Sequence, residues 1–154
     1  MRRVAAAALL AALGTGGLAA PAAPGADEPR ADVLRAAASG SPGAYQLAVT
    51  VRSPDRGCDA YADWWEVVGE DGKLLFRRVL MHSHPDEQPF TRPGGPVPIP
   101  ADRIVVVRAH FHPTGYGGAA LRGSAAGGFQ PWQPPAKFAE ELAKAEPLPK
   151  ECWR

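Results

Sequence analysis

All four histidines of the 154-residue chain fall in two short repeats, His82-Ser83-His84 and His110-Phe111-His112. Each repeat closes a run that reads as a β-strand, and side chains at i and i+2 of a strand share one face. Each HxH therefore sets two imidazoles side by side. Were the two strands neighbours, His82, His84, His110 and His112 could converge as four nitrogen ligands at metal–nitrogen distances of about 2.0–2.1 Å. Neutral imidazole suits zinc and copper, so the expected cofactor is one of these ions and the expected work is capture or delivery. The competing expectations are a metal-dependent enzyme using the same histidines and a metal-free envelope interaction module. For the enzyme, Asp86 and Glu87 are candidate bases, with Arg92 and Arg108 candidates for an anionic substrate. None of these carboxylates has the HExxH placement that would mark a base beside a helical zinc site. Ser83 points away from its flanking histidines, and Ser124 lacks a nucleophile elbow. No GxGxxG or P-loop spacing supports nucleotide binding.

The elements that would carry these groups are short strands. Ala44–Val51 alternates loosely, and Tyr61–Val68 reads as a strand with Tyr61, Asp63, Trp65 and Val67 on one face. Ala62, Trp64, Glu66 and Val68 then take the other. Glu70-Asp71-Gly72 is a hairpin turn, since Asp-Gly supplies the dihedrals tight hairpins need. The return strand is expected to run from Lys73 to His84. Simple pairing across the turn puts Glu66 opposite Arg77, which reads as a cross-strand ion pair on a solvated face. Arg78 and Arg108 are assigned to the histidine side of their strands. Ile104–His112 is the clearest strand, with Val105, Val107, Ala109 and Phe111 inward and Arg108, His110 and His112 outward. The stretch 85–100, rich in proline and glycine, is expected to be an irregular connection. A weak strand is expected over Ala119–Arg122 and a short helix over Ala136–Ala145, docked by Phe138 and Leu142. Adjacent Trp64 and Trp65 must face opposite ways in a regular strand.

The sum is an all-β fold, a small immunoglobulin-like sandwich with a short C-terminal helix over residues 44–154. Ahead of it, residues 1–22 have a signal-peptide layout: Arg2 and Arg3, the apolar run Val4–Leu13, then small residues, with cleavage between about Ala19 and Gly25. Residues 23–43 form a spacer containing a short helix over Ala31–Ala38. The apolar run falls short of the roughly 17 residues a membrane span needs. No stable span is expected after cleavage, which gives a periplasmic or extracellular location. Without Arg2 and Arg3, 17 basic residues become 15 against 16 acidic ones, a formal charge of −1. Such a chain lacks the phosphate-neutralising surface of a nucleic-acid binder. The expected partners are a metal ion and an envelope protein. Cys58 and Cys152, the only cysteines, are expected to form a disulfide in an oxidising compartment.

The runs Gly57-Cys58-Asp59-Ala60-Tyr61-Ala62-Asp63-Trp64-Trp65-Glu66-Val67, Arg77-Arg78-Val79-Leu80, His82-Ser83-His84, Glu87-Gln88-Pro89-Phe90-Thr91-Arg92, Arg108-Ala109-His110 and Gly115-Tyr116-Gly117-Gly118 resemble a family of small exported bacterial proteins. The resemblance covers Cys58 to Gly118. It implies export and one compact domain, and carries over no catalytic residue. The paired HxH strands are also similar to copper sites on immunoglobulin-like sandwiches such as copper-zinc superoxide dismutases, where an HxH supplies two copper ligands. This chain departs from them in lacking the further histidines and aspartate of an adjacent zinc site. A blue-copper site would need a cysteine that the disulfide uses.

Overall fold

The computed structural model describes residues 28–153; the signal-peptide reading of residues 1–22 lies outside them. Two antiparallel sheets pack face to face, which bears out the β-sandwich. One holds three strands in the order β1 (Asp32–Ser39), β2 (Tyr45–Arg52), β5 (Phe90–Val97). The other holds five, in the order β4 (Leu74–Val79), β3 (Tyr61–Gly69), β6 (Val105–His112), β7 (Ala120–Ser124), β8 (Gly128–Trp132). Between them lie Leu47, Val49 and Val51 of β2, Phe90 and Val97 of β5, Trp65 and Val67 of β3, and Val105, Val107 and Phe111 of β6.

Three expectations are corrected. Ala31–Ala38 is not a helix in a spacer; Asp32–Ser39 is β1, paired with β2 along its length. Alanine favours helix, but so short a helix is marginal in water. Strand pairing instead buries Ala31 and Val33 and packs Ala36 and Ala38 against the core, so the sandwich begins ahead of residue 44. The stretch 85–100 is not wholly irregular, because it contains β5. Its prolines are tolerated because β5 is an edge strand, where missing donors break no second ladder. Gly94 is needed there, since a Cβ would stand 2.7 Å from the Trp65 ring. The third correction concerns the return strand, which stops at Val79 instead of continuing to His84.

The outward face of the five-stranded sheet is not solvated. β6 buries seven of its eight residues, because the tail folds back over it. Phe138, Ala139, Leu142 and Ala145 pack on Val68, Val106 and Ala120 as a second, smaller core. Phe138 and Leu142 dock as expected, but the helix shrinks to a 3-10 turn, Glu140–Lys144. The carbonyls an α-helix would consume are taken by two arginines. Arg108 donates to the carbonyls of Phe138 and Ala139, and Arg77 to those of Leu142, Ala145 and Pro147.

Glu66 joins the two guanidinium groups. It accepts from Arg77 Nε at 2.8 Å and from Arg108 Nε at 2.8 Å, with its own side chain fully buried. The Glu66–Arg77 pairing is the one the hairpin predicts, but it is buried where a solvated pair was expected. Arg77, not Arg78, shares the outward face with Arg108; Arg78 is exposed. The Cys58–Cys152 disulfide is present, with Cα atoms 5.6 Å apart, and fastens the tail to the start of β3.

Candidate metal site at a bulge in β3

β3 and β6 pair in register until the ladder slips between Ala62 and Trp64. The slip is a bulge: Tyr61 opposes His112, Ala62 opposes Phe111, Trp64 opposes His110, and Asp63 is the extra residue. A bulge breaks strict alternation and re-aims side chains. Ala62, Trp65 and Val67 stay in the main core, while Asp63 and Trp64 both meet His110. The Asp63 carboxylate lies 2.7 Å from His110 Nδ1. The Trp64 ring stacks on the imidazole at 3.9 Å and 8°, and Tyr116 meets it edge-on at 4.9 Å. This separates Asp63 from Trp65, the neighbour that regular alternation assigns to it.

Asp63 is buried, and burial pushes its carboxyl above the ordinary carboxylate value, while the hydrogen bond with His110 and the charge of His110 pull it back down. With Nδ1 engaged by this carboxylate, Nε2 is the His110 ring nitrogen left outside that contact. Nε2 lies on the side of the Gly115 turn, where an added Cβ would come within 3.9 Å of it. His110, exposed His112, Tyr61 and Asp63 line a cleft of about 330 Å³, closed on its far side by the tail.

The other histidine pair occupies a different environment. β3 lies between β4 and β6, and His82 and His84 follow the end of β4. The two HxH repeats therefore flank β3 and do not bring four nitrogens together. His82 is exposed and bridges to Trp153 of the tail. It lines a second cleft, of about 720 Å³, with Arg56, Asp59, Ser83 and Trp153. The His84 ring turns inward, stacked on Phe90 at 4.0 Å. Its backbone N–H donates to Asp55 Oδ2 at 2.8 Å, and Gln88 Nε2 donates to its carbonyl. Asp55 also accepts from Ser53 Oγ and the Ala62 N–H, so it organises the turn. Among the described residues, no three His, Cys, Asp or Glu side chains stand close enough together to hold one ion.

Neither ring nitrogen of His84 has a hydrogen-bond partner. Burial lowers its pKa from the ordinary histidine value; the charges of Arg92 and His82 act the same way, against Asp55 and Glu87. The sign for stability follows. Above the ordinary value of about 6.5, His84 is neutral in both folded and unfolded chains and its full contribution is present. As pH falls below that value the unfolded chain takes up the proton first, and stability is lost until the folded site is also protonated. The thermal midpoint is expected to fall between pH 7.5 and 5.5. His84→Phe keeps the stack on Phe90 and removes no hydrogen bond of the ring, so it should flatten that slope. Parallel slopes in the two proteins would assign the acid sensitivity elsewhere.

The candidate catalytic groups are scattered. Asp86 and Glu87 are exposed in the loop before β5. Glu87 is held by Arg92 through a two-pronged contact of 2.7 and 3.0 Å, which lowers the Glu87 carboxyl and raises Arg92. Arg108 is engaged by Glu66 and the tail carbonyls. None of the four lines the cleft of His110 and His112. The group that sequence alternation misassigned is Asp63. The adjacent Trp64-Trp65 pair gives no signal of the bulge, because both faces of β3 are buried and regular alternation buries both indoles.

Over 79 residues the chain is 43% identical to a protein of Halomicrobium mukohataei named "Putative lipoprotein". The match covers 51% of this chain and 38% of that protein, so the chain spans well under half of its relative's length. No family model matches the chain. No solved structure matches it either.

Proposed function

We propose that this is an exported protein, periplasmic or extracellular, that captures or delivers a divalent copper or zinc ion, with His110 and His112 as ligands. The observation that carries the reading is the 2.7 Å contact between Asp63 and His110 Nδ1. A carboxylate on the second nitrogen is the usual support of a metal-ligating histidine, because it fixes the tautomer and strengthens the ligand. His112, two residues on along β6, is exposed at the same cleft. Export is supported by the lipoprotein name of the relative and by the resemblance to small exported bacterial proteins. His82 and His84 are assigned to a structural turn, since Asp55 and Phe90 already hold that segment.

The test is calorimetric titration of tag-free protein with Cu²⁺ and with Zn²⁺, beside a His82→Ala control. Binding of either ion by both proteins is the expected result, weakening on acidification because protons compete with the ion for its ligands. A wild-type protein that binds neither ion sinks the proposal. Binding that disappears in His82→Ala moves the site to the other histidine pair.

A further inference from the structure

The tail is held to the body in two sections, by different means. As far as Pro147 it is docked through buried groups. Arg77 and Arg108 hold its carbonyls, and Phe138, Ala139, Leu142 and Ala145 belong to the second core. Beyond Pro147 that anchoring ends. No residue of 148–153 joins either apolar core, and the Trp153 side chain is 58% exposed. The Leu148 N–H donates within the tail, to Glu146. Among the described residues, two covalent or hydrogen-bonded links tie this stretch to the body. One is the Cys58–Cys152 disulfide. The other is a one-residue bridge between Trp153 and His82, in which the Trp153 N–H donates to the Met81 carbonyl at 2.6 Å.

The same stretch walls both clefts, through Leu148, Pro149 and Cys152 at His110 and through Trp153 at His82. Cys58 lines both, so an incoming thiol has an approach to the disulfide from either side. We propose that residues 148–153 are a redox-released strap whose pin is the Cys58–Cys152 bond. The reductant is a dithiol. One of its thiolates attacks a sulfur of the pin, the S–S bond breaks, and a mixed disulfide forms as the other cysteine leaves. The reductant's second thiol then displaces the first. Two electrons and two protons end on Cys58 and Cys152, and the reductant departs as its own disulfide. A lone backbone bridge is too weak to hold six residues against their conformational entropy. The strap therefore swings clear, the two clefts join, and the His110 cleft loses most of its far wall while residues 138–147 stay docked. This device works whatever ligand His110 takes.

The experiment treats the folded, tag-free chain with dithiothreitol at neutral pH and blocks the freed thiols with iodoacetamide, beside a Cys58→Ser/Cys152→Ser double variant. Two readouts separate the strap from the rest of the tail. One is lysine-specific proteolysis after Lys150, which is exposed, and the other is hydrogen exchange at the Trp153 amide. Both follow the population of the opened segment. Cleavage after Lys150 is expected to quicken about tenfold or more, and the Trp153 amide to lose its protection. Cleavage after Lys144 and exchange over residues 138–147 should stay as in the oxidised protein. A bond that dithiothreitol reduces only once the fold has melted overturns the proposal. Unchanged Lys150 cleavage and Trp153 protection in the reduced protein overturn it as well. So does a joint loss of protection over 138–147, which makes the tail one unit. Should the double variant fail to fold, the alkylated wild type decides.

Discussion

Replacing Glu66 by alanine is expected to destabilise the fold by about 3–5 kcal/mol, the cost of removing one partner from a buried ion pair. The change leaves the Arg77 and Arg108 guanidinium groups side by side beneath the tail, with side chains 0% and 4% exposed and no counter-charge between them. Domains of this kind have only about 5–15 kcal/mol in total, so the midpoint should drop on the order of 10 °C. Replacing all three charges by apolar residues should not restore stability here, although it does in some buried triads. The two arginines also satisfy the carbonyls of Phe138, Ala139, Leu142, Ala145 and Pro147. An apolar substitute would leave those acceptors without donors, at about 1–3 kcal/mol for each one that stays buried. Scanning calorimetry of Glu66→Ala and of the triple variant tests this, with hydrogen exchange of residues 138–147 as the local readout. A Glu66→Ala midpoint within 2 °C of wild type, or a triple variant at wild-type stability, would show that the tail is held by its apolar contacts alone.

The same residues show what was legible in advance. The Asp71-Gly72 turn is local, so the Glu66–Arg77 register could be read from turn chemistry. That the pair is buried depends on a segment some 70 residues away, folding over a face whose own alternation looks solvent-directed. Arg108 and His110 look outward for the same reason, and only the tail makes that side a second core. β1 and β5 were obscured by composition. An alanine run has helical propensity that pairing with β2 overrides, and Pro93, Gly94, Gly95 and Pro96 look like a loop unless the strand is known to be an edge. At the site, parity places His110 and His112 together, as β6 shows. Parity failed at β3, where a single bulged residue brings Asp63 and Trp64 to the same imidazole. Adjacency of the histidine strands was a question of topology, which alternation does not address: β3 stands between β4 and β6.

On the metal-binding reading, His110→Ala is expected to abolish the tight phase of Zn²⁺ or Cu²⁺ binding, and Asp63→Asn to weaken it by about 10–100-fold. The two variants ask different questions. Alanine removes the ligand itself and opens space against Trp64, so its apo midpoint should also fall. Asparagine keeps nearly the volume of Asp63 but removes its charge, and its amide can present N–H to Nδ1. His110 would then be free to protonate Nε2, the nitrogen needed for the ion. The loss in Asp63→Asn should therefore persist at higher pH, because a change of tautomer within the neutral ring releases no proton to solvent. Trp64 offers a second signal, since its ring is stacked on His110 at 3.9 Å and its emission should respond to Cu²⁺ bound at Nε2. Should Asp63→Asn bind as tightly as wild type at every pH, the carboxylate has no part in ion binding. The bulge would then serve only to pack Trp64 and His110 under the tail.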